Sequence, residues 1–220
     1  MDTRNLKRED IVAVLKEAAA RMQENHVKKV RDLDAEIGDG DLGITVQKGF
    51  RAVEQYLSVS PGETIAEIIR NAGMEFSEAN PSTFSAFLAA GFRKAATAVK
   101  EKNEIDTKSL ADMFKASVQG IMKLGRAQAG DKTLLDALIP SSDAVNAAAG
   151  KGASIVEALH DAADEAETGM THTVDMLAKQ GRARSFGDRT RGVQDPGATV
   201  VAIFLREIVI ALDAHTGNGK

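Results

Sequence analysis

Three observations predict an all-α fold. Aromatic residues make up only 4% of the 220-residue chain and Trp is absent, so a core drawn from a hydrophobic fraction of 43% must rest on Leu, Ile, Val, Met and abundant Ala. Small Ala-rich faces suit close helix packing. Apolar residues also recur at helical spacing throughout the chain, and the breaks between these segments are short enough for antiparallel neighbours. About eight helices are expected on this pattern, in a single domain spanning 1–220.

The first helix is marked by Leu6, Ile11, Leu15, Ala18, Ala19 and Met22, separated by Lys, Arg and Glu, and ends near an acidic turn. Val46, Phe50, Val53 and Leu57 mark a second, stopped by Ser60-Pro61-Gly62. Glu63 to about Glu78 is the third, with Ile65, Ile68, Ile69 and Met74 on its apolar face. Asn80-Pro81-Ser82-Thr83 breaks the chain, and Asn80 or Ser82 is placed to cap the helix that follows. That fourth helix, Phe84 to Lys100, is crowded with Ala and Phe. Asp106 or Thr107 opens a fifth, to about Leu124, and a polar Gly-flanked loop follows from Gly125 to Thr133. Pro140 is expected to bend the sixth. Ile155 to Gln180 reads as a long seventh. The last, Ala198 to Ala214, has enough β-branched residues for a strand, but its length favours a buried helix. Residues 215–220 are expected to fray. The Ala-rich interior either closes fully or leaves an apolar cavity.

The chain has no cysteine, which excludes disulfides, thiolate chemistry and Cys-ligated zinc. A net charge of −4 argues against nucleic acid as a partner. The opening M-D-T-R-N-L-K-R-E-D has no apolar signal core, and no segment approaches a membrane span. A soluble, cytoplasmic protein is expected.

Two stretches carry the candidate chemistry. D-L-D-A-E-I-G-D-G-D-L-G, from Asp32 to Gly43, gathers Asp32, Asp34, Glu36, Asp39 and Asp41 around closely spaced glycines that favour a tight turn. Carboxylates converge in this way when a cation sits among them, and hard oxygen ligands favour Mg²⁺ or Ca²⁺. The spacing is not that of an EF-hand, because the Gly at the sixth position and the Glu at the twelfth are missing. Acidic turns of this kind are more often simply solvated. The second stretch, G-R-A-R-S-F-G-D-R-T-R-G-V-Q-D-P-G-A-T from Gly181 to Thr199, places Arg182, Arg184, Arg189 and Arg191 on a Gly-rich loop. Arginine binds phosphate bidentately, and the helix opened by D-P-G-A-T adds N-terminal N–H groups, although such loops are also common surface features. Acidic and basic loops together describe a Mg²⁺–phosphate site. Neither a Walker A sequence nor G-x-G-x-x-G is present, and His26, His160, His172 and His215 lie in no recognisable nucleophile context. Asp131-Lys132-Thr133 is readable as a plain helix cap.

Taken together, L-D-A-E-I-G-D-G-D-L-G, G-D-K-T-L-L-D-A-L from Gly130, and the Arg-rich stretch resemble the ADP-binding L subunits (DhaL type) of dihydroxyacetone kinase, in the family's order and spacing and over essentially the whole chain. The resemblance implies a closed up-and-down barrel of eight antiparallel helices. It makes Asp34, Asp39 and Asp41 the ligands of a pair of Mg²⁺ ions bridging the phosphates of ADP or ATP. Ile44 and Thr45 fall at phosphate contacts, and Gly125 and Leu134 at the base and ribose. Arg182, also the implied catalytic residue, and Asp195-Pro196-Gly197 fall at the remaining nucleotide contacts.

Two departures stand out. Leu42 occupies a position where the family commonly has His, and A-N-P-S-T-F-S-A-F from Ala79 replaces a Gly- and Ser-rich phosphate loop, leaving Ser82 and Thr83 as donors. The resemblance further implies a separate K subunit that holds the sugar, ATP or a phosphotransferase-system phosphocarrier as phosphate source, and room for a homodimer. Rival readings are a kinase subunit for another small ketose or an acyl group, and a nucleotide-sensing regulator without turnover.

Overall fold

A computed structural model describes residues 4–217 of the chain. Its nine α-helices are α1 (Arg8–Asn25), α2 (Val27–Ile37), α3 (Leu42–Val59), α4 (Ile65–Ala79), α5 (Thr83–Ala98), α6 (Thr107–Gly125), α7 (Leu135–Lys151), α8 (Ile155–His172) and α9 (Pro196–Thr216). Two short strands, β1 (Asn5–Lys7) and β2 (Glu104–Asp106), pair antiparallel with Leu6 opposite Ile105. Among the described residues no helix is long and apolar enough to cross a membrane.

Alanine sets how closely these helices approach. Ala18 and Ala19 on α1, Ala162, Ala163 and Ala166 on α8, and Ala202 and Ala211 on α9 are all fully buried. In the ring, α3 to α9 each pack on the next helix, α1 packs on α3, and α9 returns to α1. The result is a closed barrel of eight helices, with α2 outside it against α3, touching α9 and the segment that precedes α9. Leu135, Ile155 and Leu212 are fully buried, each contributing about 1.5–3 kcal/mol. The interior does not close completely. It keeps an apolar cavity of about 200 Å³, lined by residues including Leu15, Phe50, Phe92, Leu138 and Phe204.

Local signals start and stop the helices much as expected. Thr64 and Glu67 form a reciprocal capping box on α4, and Ser154 and Glu157 form one on α8. Of the two candidate caps for α5, Ser82 is used, accepting from the Ser85 N–H at 3.1 Å. Asp106 caps α6, and Asp195 caps α9 with Pro196 as its first residue. Pro140 lies inside α7, where it cannot donate to the Asp136 carbonyl. Gly169 of α8 packs directly against that carbonyl.

Four expectations are corrected. The first helix is two, broken at His26, whose Nε2 meets Glu207 Oε1 at 2.6 Å and holds the break against α9. Leu6 lies on β1 rather than on a helix, because a three-residue strand is too short to show an alternating pattern. The seventh helix stops at His172 instead of Gln180; beyond it, backbone carbonyls turn inward to a buried ammonium group instead of continuing the helical ladder. Of the tail expected to fray, His215 and Thr216 belong to α9, and 218–220 lie outside the described residues.

Candidate functional site

An up-and-down ring sends alternate helix ends to the same side. The starts of α3, α5, α7 and α9 therefore share one end of the barrel with the ends of α4, α6 and α8. Apart from Asp34, Asp39 and Arg182, the candidate residues lie at or beside these termini: Asp41, Ile44 and Thr45 at α3, Ser82 and Thr83 at α5, Gly125 at α6, Leu134 at α7, and Asp195, Pro196 and Gly197 at α9. Four helix N-termini on one side concentrate partial positive charge, a setting suited to an anion.

Side-chain contacts tie these termini together. Asn80, between α4 and α5, donates through Nδ2 to Thr45 Oγ1 at 2.8 Å, while Thr45 Oγ1 donates to the Asp41 carbonyl at 3.3 Å. Gly125 faces the Phe87 ring, and a Cβ there would come within 2.9 Å of it. Gly197 lies against Leu134, joining the starts of α9 and α7. Arg182, on the 3₁₀ segment Arg182–Thr190, forms an ion pair with Asp39. The acidic and Arg-rich stretches, distant in sequence, thus meet.

The acidic stretch is not one continuous turn. Asp32, Asp34 and Glu36 lie on α2, and only Asp39 and Asp41 belong to the turn between α2 and α3, where Gly40 adopts φ of 77°. Asp34 Oδ2 accepts from the Leu42 N–H at 3.0 Å, and Asp39 Oδ1 accepts from the Asp41 N–H at 3.4 Å. Asp41 occupies the N-cap position of α3 but does not cap it, leaving its carboxylate available. Among the described residues no three acidic or His side chains converge as a finished metal cluster. The donor chemistry nonetheless fits a hard cation: Asp34, Asp39 and Asp41 offer only oxygen, from carboxylates that are half-buried or exposed.

The expected four-arginine cradle does not form. Arg182 pairs with Asp39, Arg189 lies over the Phe186 ring at 5.4 Å, and Arg191 donates to the Asp175 carbonyl at 3.1 Å. These three arginines meet different partners, and of them only Arg182 pairs with the acidic turn.

Sequence reasoning missed a buried polar knot beneath the site. Lys132 is only 1% exposed, although a lysine in a polar loop normally reads as solvated. Asp136 accepts from the Gly130 N–H at 2.5 Å and the Thr133 N–H at 2.7 Å, shaping the loop before α7. Asp195 Oδ2 accepts from the Ala198 N–H at 2.7 Å. Burial pushes the Asp195 carboxyl up to about 7; the bond from Ala198 opposes this, Asp136 adds to it, and Lys132 opposes it. Burial likewise lowers the Lys132 pKa. The outward signals were the G-D-K-T block from Gly130 and the acidic residue Asp136 in the first turn of α7.

Comparisons with known proteins identify the family and the fold. The DAK2 domain matches residues 36–209. The chain is 31% identical over 179 residues to the PEP-dependent dihydroxyacetone kinase ADP-binding subunit DhaL of Escherichia coli (strain K12), covering 81% of this chain and 85% of that one. It is 29% identical to the L-erythrulose kinase of Pectobacterium atrosepticum, over 93% of this chain but 35% of the kinase. The crystal structure of the dihydroxyacetone kinase of C. freundii superposes with a TM-score of 0.71 at 21% identity, covering 91% of this chain and 34% of that one. Its complex with AMP-PNP and Mg²⁺ superposes at 0.69 with 20% identity. These structural likenesses show the fold. The chain thus spans most of the E. coli subunit and about a third of the longer kinases.

Proposed function

Because the chain belongs to the DAK2 domain family, we propose that it is the ADP- or ATP-binding, phosphoryl-transferring subunit of a dihydroxyacetone-type kinase, acting with a separate sugar-binding chain. The observation that carries this reading is the Asp39–Arg182 contact, which sets an acidic turn and a basic segment side by side at the barrel end where four helices begin. The DhaL relatives, named as ADP-binding subunits, and the C. freundii complex with AMP-PNP and Mg²⁺ support the same ligand class.

Asp34, Asp39 and Asp41 would hold Mg²⁺, which when bound would neutralise phosphate charge and orient the transferring group. The remaining work falls to the chain itself. Arg182 pairs with Asp39, and with a cation held by that carboxylate its guanidinium would be available to a phosphate. Thr45 and Asn80 hold the turn that carries Asp41. The starts of α3, α5 and α9 present N–H groups to an anion, with Ser82 and Thr83 at the second and Asp195-Pro196-Gly197 at the third. Ser82 Oγ accepts from Ser85 N–H and donates to Ser85 Oγ, both at 3.1 Å, so its hydroxyl would have to turn from Ser85 to donate to a ligand. Leu134, beside Gly197, and Gly125, beside Phe87, offer an apolar wall for base and ribose. Sugar choice would lie with the partner chain, and the L-erythrulose kinase relative favours a small ketose as the second substrate class.

The test begins by denaturing the purified protein and assaying the supernatant for adenine nucleotide and magnesium. Titration of emptied protein with Mg·ADP and Mg·ATP follows. Near-stoichiometric nucleotide, or saturable uptake lost in Asp39→Asn, supports the reading. Failure to bind either nucleotide overturns it. Turnover with a K-type partner separates a kinase subunit from a sensor.

A further inference from the structure

The Lys132 ammonium group lies within hydrogen-bond distance of four backbone carbonyls: Thr190 and Val193 at 2.6 Å, Thr173 at 2.7 Å and Met176 at 3.2 Å. All four belong to the connection between α8 and α9. An ammonium has three protons, so three close acceptors satisfy it and the fourth shares one. The side chain is thereby fully committed and enclosed, out of reach of any phosphate at the barrel end. A Lys in a Gly-Asp-Lys-Thr loop invites comparison with phosphate-binding lysines, but here the ammonium points inward.

The loop that supplies Lys132 is itself braced. Lys132 has φ of 60°, and Asp136 fixes the backbone on either side of it through the Gly130 and Thr133 N–H groups. Asp131 accepts from the Gln128 N–H at 2.9 Å, and its carbonyl accepts from Lys179 N–H at 3.1 Å. The α8–α9 connection is thus folded around a pre-shaped peg. Its other ties between distant parts of the connection are Gly192 N–H to the Val174 carbonyl at 2.8 Å, Ala178 N–H to Thr190 Oγ1 at 3.1 Å, Arg191 to the Asp175 carbonyl at 3.1 Å, and Asp195 N–H to Thr173 Oγ1 at 2.9 Å; the rest are bonds within single short turns. This connection carries Arg182 to Asp39 and delivers Asp195-Pro196-Gly197 to Leu134.

We propose that Lys132 is a positioning residue: its ammonium occupies a carbonyl cage that holds the α8–α9 connection in one shape, so that Arg182 and the start of α9 reach the site together. The cage chemistry is that of a small monovalent N–H cation, and a free ammonium ion in the vacated space satisfies the same four carbonyls. The proposal rests on the nucleotide reading only for its binding readout.

The experiment uses the full chain carrying Lys132→Ala. Backbone amide exchange across 173–193 is measured without nucleotide, and Mg·ADP affinity by calorimetry, each in ammonium chloride and in tetramethylammonium chloride of equal strength. Expected are exchange at least about tenfold faster, confined to 173–193, and Mg·ADP binding at least about tenfold weaker, both largely restored by ammonium and not by tetramethylammonium, which has no N–H to donate. Wild-type exchange and affinity in the variant would overturn the proposal, as would equal effects of the two salts. If Lys132→Ala does not fold, Lys132→Gln, which keeps two N–H donors, is measured in the same way. Failure of both to fold even in ammonium would also overturn it, because the lysine would then hold the barrel and not the connection. A wild-type chain that binds no Mg·ADP would count against the nucleotide reading alone, since the exchange readout stands without nucleotide.

Discussion

Asn80 Nδ2 donates to Thr45 Oγ1 at 2.8 Å, so the loop between α4 and α5 is fastened to the first turn of α3 by a single side-chain bond. Thr45 is 2% exposed and its hydroxyl also donates to the Asp41 carbonyl. Replacing Thr45 with Val keeps the shape but leaves the Asn80 amide without its acceptor, and should cost about 1–3 kcal/mol of unfolding free energy in urea. Asn80→Ala, which frees the hydroxyl to find another donor, should cost less, about 1 kcal/mol. If the loop and turn act as one unit, both variants should weaken Mg·ADP binding.

Arg182 and Asp39 should separate stability from function. Both side chains are substantially exposed, so breaking their pair should change unfolding free energy by no more than about 1 kcal/mol. Arg182→Ala and Asp39→Asn should each weaken Mg·ADP binding at least about tenfold, because each removes a charge from the nucleotide's own contacts. Calorimetry beside urea unfolding on the same samples checks both halves. A variant with near-native stability and native affinity would place the site elsewhere.

Asp195 should produce a pH dependence opposite in sign to that of a carboxylate whose pKa is lowered by an ion pair. Its folded pKa is raised to about 7, mainly by burial. Its unfolded value is about 3.9, so between these limits the folded state holds the extra proton and stability falls as pH rises. Below about pH 4 both states are protonated and the effect vanishes. Asp195→Asn keeps an oxygen for the Ala198 N–H while removing the charge. Measured without nucleotide, the stability of the Asn variant relative to wild type should grow from pH 4 and level off above pH 7, at a gain of up to about 4 kcal/mol. A difference independent of pH would show that Asp195 titrates normally.

Gly169 is expected to tolerate nothing larger. A Cβ there would press into the Asp136 carbonyl and the Pro140 ring, forcing α7 and α8 apart. Gly169→Ala should therefore lower stability by about 1–3 kcal/mol despite the better helix propensity of Ala. Since Asp136 also shapes the loop that carries Lys132, the change should reach the α8–α9 connection and appear as faster amide exchange there.

The helices of the ring were legible from sequence because their causes are local. Apolar spacing, the Thr64–Glu67 and Ser154–Glu157 boxes, and the Asp195-Pro196 start each act within one or two turns. The acidic and Arg-rich stretches were legible for the same reason: unusual residue types lay close together in the chain. What misled the sequence reading depended on distant partners. The break at His26 needs Glu207, β1 needs β2, and the end of α8 at His172 needs Lys132.

The chain by itself therefore determined the ring helices, though not every boundary, and which residue types could meet a metal and a phosphate. Only the tertiary structure decided that alternating helix directions bring those residues to one end, that Arg182 alone among the four arginines reaches Asp39, and that Lys132 turns inward. The physical reason is that helix propensity and capping are short-range, whereas the direction of a charged side chain is set by whichever partners the closed ring supplies. Lys132 could be buried only once four carbonyls from another part of the chain had surrounded it.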